Sequence, residues 1–250
     1  MTRYEGIDIL KGVAVICMII FHIFYFPNQY GFKEIEYDTT LLKCIARIAQ
    51  FIFITCVGIN LVFSNQNKSS EVKIKSNLTR IAKITVLAIL MSLFTYFVFG
   101  DKYVKFGILH FIALSSLLLF MFVNDKKIIL LILGILCGLY ALNNHHPEYF
   151  KNVSEPIAFI MGFYNNKYQS IDHFPIIPWM ILICIGILIG HFIIENDIKM
   201  PDEISENPIS KFLEKTGQKS LEIYAVHWLV LYAVFCQIYP KYIRKVPVNI

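Results

Sequence analysis

The chain has 250 residues, of which 56% are hydrophobic and only 16% charged. A soluble domain carries about a quarter charged residues, so this composition and a mean hydropathy of +0.58 exclude an ordinary soluble protein and point to helices in a bilayer. The net charge of +5 is spread over many loops without a basic-aromatic stripe, which argues against nucleic acid as a partner.

About 20 apolar residues cross a bilayer, and seven segments come near that length. The first is Ile7–Phe26. Arg3 gives it a short basic start, but the following YFPNQYGF offers no small-x-small cleavage site. It is therefore expected to remain as the first span. Helix residues advance by about 100°, so Asp8, Lys11, Val15, Met18 and His22 form one stripe. His22 should sit roughly 16 Å beyond Lys11 along the axis, at or past mid-membrane. Ionisable groups at that depth face a bundle interior or a wet cavity. Two readings stay open. His22 bonds a neighbouring helix while Lys11 snorkels, or Lys11 holds an anion at the mouth of a path and His22 moves a proton at its end.

The second segment is Leu41–Phe63. Lys43, Arg47 and Gln50 share a face there, as a snorkelling stripe or an acceptor-binding face. The third is Ile81–Phe99, with Arg80 and Lys83 at its start, which fit a positive-inside pattern and phosphate binding equally. NKS, NLT and NVS in loops 64–80 and 151–154 match glycosylation acceptors, with the first two expected on the cytoplasmic side and unused. The fourth segment, Phe106–Val123, opens with His110, and the fifth is the short Ile128–Asn143. The stretch EPIAFIMGFY (155–164) is about half a span long. The next long segment, Phe174–Ile194, follows Asp172 and carries Pro175, Pro178 and Trp179 in its opening turns. Pro suits a first turn, Trp an interface, and Asp172 a helix cap. In Ser220–Tyr239, Glu222 and His227 are about 140° out of phase, and His227 lies near mid-depth.

The expected fold class is all-α: a polytopic helical membrane protein with seven spans, eight if 154–164 crosses, a cytoplasmic N-terminus and one domain over 1–250. Cys17, Cys44, Cys56, Cys137, Cys184 and Cys236 each fall inside an apolar segment and read as buried thiols. His145, His146 and His173 lie on loops without metal-ligand spacing, so no metal is expected.

RYEGIDILKGVAVICMIIFH (3–22), FGILHFIALSSLLL (106–119), DHFPIIPWMILICIGILIG (172–190) and TGQKSLEIYAVHWLVLY (216–232) occur in that order. Together they resemble the heparan-alpha-glucosaminide N-acetyltransferase-like membrane family, part of a wider group of transmembrane acyltransferases. That group often places a basic residue and a His eleven positions apart in its first helix, as Lys11 and His22 are. Lys11 stands where Arg is commoner.

The resemblance implies acetyl transfer from cytoplasmic acetyl-CoA, as co-substrate, to a sugar or glycan acceptor. On that reading His22, His110 and Asp172 are the catalytic candidates, with His22 as base or acetyl carrier. Lys11, Arg3, Arg80 and Lys83 would hold the cofactor phosphates, and Asp8, Arg47, Trp179 and His227 would meet the acceptor. The expected partners are the lipid bilayer, acetyl-CoA and a sugar or glycan acceptor, with no nucleic acid; the expected location is the cell membrane, with a homodimer entertained. Two rivals use the same residues: a transporter with an intramembrane polar relay, and an assembly subunit whose polar residues only lock helices together.

Overall fold

The computed structural model of the chain describes residues 4–29, 39–66, 69–163 and 169–238. The described residues are mostly helical, with one isolated bridge between Phe106 and His173. In chain order the helices are α1 (Glu5–Gln29), α2 (Thr40–Asn65), α3 (Ser70–Phe99), α4 (Ile108–Leu119), α5 (Lys126–His145), α6 (Glu155–Met161), α7 (Ile176–Glu195), α8 (Asp202–Ser205), α9 (Pro208–Gln218) and α10 (Ser220–Ile238). Helices α1, α2, α3, α5, α7 and α10 are long and apolar enough to cross a membrane. The protein is a multi-pass helical membrane protein, and its chain divides into two compact units, residues 2–56 with 198–250 and residues 57–197.

The first unit is built on α1. Ile7, Ile9, Ala14, Val15 and Phe26 are buried, while Leu10, Ile20, Ile23 and Phe24 are exposed. An apolar residue that faces out of a membrane helix meets lipid, so these exposed side chains belong to the bilayer side. Helix α10 packs on α1 through aromatic contacts. Phe26 stacks on Phe235 at 5.6 Å between ring centroids and meets Trp228 edge-on at 5.5 Å.

Helix α9 also packs along α1. No apolar run announces it, because it is a short amphipathic helix with Lys211 and Lys215 among its residues. Its start has local causes: Pro208 occupies the first turn, and the Asn207 side chain accepts from the Ile209 N–H at 2.9 Å. Two glycines permit the close approach. A Cβ on Gly12 would strike the Leu213 carbonyl, and one on Gly217 would strike the Asp8 carbonyl.

In the second unit α3 is longer than the expected 81–99 segment. Its 30 residues reach about 45 Å. The extra turns are polar, and they are anchored by Asn77, whose amide donates to Asn65 Oδ1 at 2.7 Å. Both asparagines are buried, so Asn77 is occupied as a structural contact. Helix α4 is shorter than the expected 106–123 span. It has 12 residues, about 18 Å, and Ile108, Leu109, Phe111, Ile112, Ser115, Ser116 and Leu119 are all buried.

The chain before α4 is irregular and is paired with the chain before α7. Ile171 N–H donates to Lys102 O and Phe174 N–H to Phe106 O, both at 3.0 Å. Ser170 Oγ donates to Asp172 O at 2.7 Å and accepts from Lys105 N–H at 3.2 Å. Non-helical backbone survives inside a bundle only when its polar groups are satisfied in this way. Helix α7 packs on α5 and α4, and its Gly186 and Gly190 lie against Gly58, Ile59 and Val62 at the end of α2. Small residues at such a seam let helix backbones approach. Helix α6, within the 154–164 stretch, has seven residues and ends at Gly162 with φ +88°.

Candidate active site

The stripe expected on the first helix is present on α1. Lys11 Nζ and Asp8 Oδ1 form an ion pair at 2.5 Å, with side chains 15% and 5% exposed. The Gly12 and Gly217 contacts hold α9 across α1 at this level, which fixes the backbone that carries the pair.

Three turns on, His22 Nδ1 lies 2.8 Å from the Met18 carbonyl. A carbonyl can only accept, so Nδ1 carries the proton and Nε2 keeps its lone pair. The neighbouring imidazole is His227 of α10, at 4.9 Å between centroids and 64° between planes. His227 Nδ1 donates to the Tyr224 carbonyl at 2.6 Å, which sets the same tautomer. Its Nε2 is buried and has no hydrogen-bond partner among the described residues. Trp228 adds an edge contact to His22 at 5.5 Å. Two imidazoles, each with a lone pair on Nε2, therefore stand side by side among aromatic rings. Neutral imidazole in this form is a base and a nucleophile.

His110 and Asp172, in the 57–197 unit, are tied differently. Ser92 Oγ donates its only proton to Val104 O at 2.6 Å. The 3.1 Å contact between Ser92 Oγ and His110 Nε2 then requires Nε2–H to donate. His110 Nδ1 is left buried and without a partner among the described residues.

Asp172 does not cap the helix it precedes, as its position in sequence suggested. Pro175 is the N-cap of α7, and Asp172 Oδ2 accepts from Ile108 N–H, the first residue of α4, at 3.1 Å. It caps a helix 64 residues away. Gly107 makes room for it, since a Cβ there would strike the carboxylate. Desolvation pushes the Asp172 carboxyl up to about 6, against the pull of the Ile108 N–H. His173, next to it, donates from Nε2 to Phe159 O at 2.8 Å and stacks on the Phe159 ring at 4.0 Å.

The other expected site residues are placed as follows. Arg3 lies outside the described residues. Arg47 is exposed and bonds Gln50 Oε1 at 3.1 Å, as their shared face implied. Trp179 lies against Phe174 at 4.9 Å. Arg80 and Lys83 line one groove on α3. Ser92 and Trp228 were missed by sequence reasoning. Trp228 had a signal in its position beside His227, whereas Ser92 had none, because an interhelical partner leaves no local pattern. Among the described residues no group of three or more His, Cys, Asp or Glu is arranged to hold a metal.

Comparison with known proteins adds one finding. The family described as heparan-alpha-glucosaminide N-acetyltransferase, catalytic, matches residues 3–229. No curated protein and no solved structure gives a match.

Proposed function

The chain belongs to the heparan-alpha-glucosaminide N-acetyltransferase catalytic family, and from that premise we propose that it transfers acetyl from cytoplasmic acetyl-CoA to a hydroxyl or amine of a sugar or glycan, with His22 as the reacting imidazole. The family points to membrane acetyl transfer. The observation that carries the finer reading is the His22 ring, whose Nδ1–H is committed to Met18 O while Nε2 remains a lone-pair nitrogen.

Two routes balance. In the first, Nε2 takes the proton as the acceptor attacks the thioester carbonyl. The C–S bond breaks, and the thiolate of CoA leaves and regains a proton. In the second, Nε2 attacks the thioester itself, the C–S bond breaks and CoA leaves as thiolate; the acceptor then takes the acetyl group, its proton passes to the thiolate, and the neutral imidazole is restored. His227, as the adjacent imidazole, is the group that would share positive charge as His22 gains a proton. Lys11 contributes a point charge toward the donor phosphates. An ammonium has three donors, so the contact with Asp8 leaves two.

The test is incubation of labelled acetyl-CoA with membranes containing the protein, glycan fractions being offered as acceptors. Wild type should label an acceptor and release CoA, and His22→Ala should do neither while unfolding at the wild-type temperature. Full transfer by His22→Ala would sink the assignment. A transporter using the same stripe would leave the thioester intact with every acceptor.

A further inference from the structure

Helix α10 meets α1 through a stripe of aromatic side chains. Tyr224, His227, Trp228 and Phe235 are buried, at spacings that share one helix face. The acetyl-transfer routes give Trp228 no part, yet it stands at the centre of this contact. It is 5% exposed. Its ring lies 5.5 Å from that of His22, 6.2 Å from that of His227 and 5.5 Å from that of Phe26, centroid to centroid. Phe26 is fully buried and stacks on Phe235, so the indole is held by a ring that is itself fixed.

His22 needs such a neighbour. One bond ties its ring, from Nδ1–H to Met18 O. A ring held by one hydrogen bond keeps a broad χ2 freedom. If it turns, Nδ1 leaves the carbonyl and nothing selects its tautomer. Phe21 and Tyr25 wall the ring at 5.5 Å and 6.1 Å, but both ride on α1 with it. Across the interface the walls are His227 and Trp228. His227 changes charge with its own proton. Trp228 is uncharged at every pH, and a large rigid ring with two side-chain torsions orders at little entropic cost. Packing support of this kind holds a reacting group to within about 0.5 Å, and a displacement of about 1 Å costs about 10²-fold in rate.

We infer that Trp228 is a positioning residue for His22. Its indole, in contact with both imidazoles and with Phe26, keeps the His22 ring turned so that Nδ1–H meets Met18 O and Nε2 is the nitrogen free to react. The consequence for rate rests on the reading of His22 as the reacting imidazole, whereas the orientation of the ring does not.

The experiment uses the purified full chain in nanodiscs, labelled with ¹⁵N-histidine. Nitrogen spectra separate a protonated ring nitrogen from a lone-pair nitrogen, and the His22 signals are those lost in His22→Ala. Acetyl-transfer kinetics and the thermal unfolding midpoint are read on the same samples. The variants are Trp228→Leu, Trp228→Phe and, as a packing control, Phe235→Leu, which removes the ring stacked on Phe26 about two turns further along α10. Wild type should show one His22 tautomer, with its proton on Nδ1. Trp228→Leu should show a mixture and lower kcat by about 10²-fold, with KM for acetyl-CoA within about twofold of wild type. Trp228→Phe, a smaller ring, should lie between the two in both readouts. Phe235→Leu should lower the unfolding midpoint, as Trp228→Leu does, but keep the wild-type tautomer and rate. The proposal is overturned by a pure Nδ1–H tautomer in Trp228→Leu, by equal mixing in Phe235→Leu, or by a loss carried wholly by KM, which would make Trp228 a substrate contact. If Trp228→Leu does not fold, Trp228→Phe carries the test, and a wild-type tautomer there overturns the proposal. If wild type transfers no acetyl group, the acetyl-transfer reading falls and the tautomer spectra alone decide the role of Trp228.

Discussion

His22 and His110 are both helix histidines in a membrane bundle, and they are tied by opposite ring nitrogens. His22 gives Nδ1–H to a carbonyl one turn back in its own helix. His110 gives Nε2–H to Ser92 of α3. In the first case the nitrogen farther from the backbone keeps its lone pair. In the second that nitrogen joins two helices, and the lone pair stays on the nitrogen nearer the backbone, which is buried and has no donor among the described residues. The neighbours of each imidazole thus decide which ring nitrogen keeps the lone pair.

The largest expected contrast is in rate. His22→Ala should lower acetyl transfer by about 10²–10⁴-fold, the usual contribution of a positioned base, while His110→Ala keeps activity within about tenfold of wild type, as expected for a clamp. Equal losses in the two variants would erase the distinction. His227→Ala should fall between them, at about 10- to 100-fold in kcat, the size of a lost charge-assisted hydrogen bond.

The next contrast is in stability. Gly217→Leu puts a side chain where the Asp8 carbonyl lies and should cost about 1–3 kcal/mol or more by overpacking. Ser92→Ala removes the acceptor for His110 and should cost about 1–3 kcal/mol. Thermal unfolding in detergent measures both, and an unchanged midpoint for Ser92→Ala would show that His110 is not a clamp.

The smallest effect is pH dependence at Asp172. Its carboxyl sits at about 6 against an ordinary value of 3.8, so the native state holds more protons than the unfolded state between those values. Stability should fall as pH rises through that window and level off above it, with a slope of at most about 1.4 kcal/mol per unit. Asp172→Asn should flatten the slope, which unfolding curves across the window will show.

Much of the helical plan was legible in advance. The first, second, fifth, sixth and seventh expected segments correspond to α1, α2, α5, α7 and α10, because apolar length is read directly from composition along the chain. The Asp8, Lys11 and His22 stripe was legible for the same kind of reason, since helix periodicity is local. Helix α9 was not, because its charged residues hide a short packing face. The extent of α4 was not, because an apolar run does not say whether lipid or protein surrounds it.

By itself the sequence determined a polytopic helical protein of this acyltransferase family, with an ionisable stripe on its first helix. Those properties depend on composition, on order, and on steps of about 100° per residue. Only the tertiary structure decided that His227 is the imidazole beside His22, that Ser92 claims His110, and that Asp172 caps α4. Each of those depends on which face of one helix meets which face of another, a choice set by packing between residues far apart in the chain.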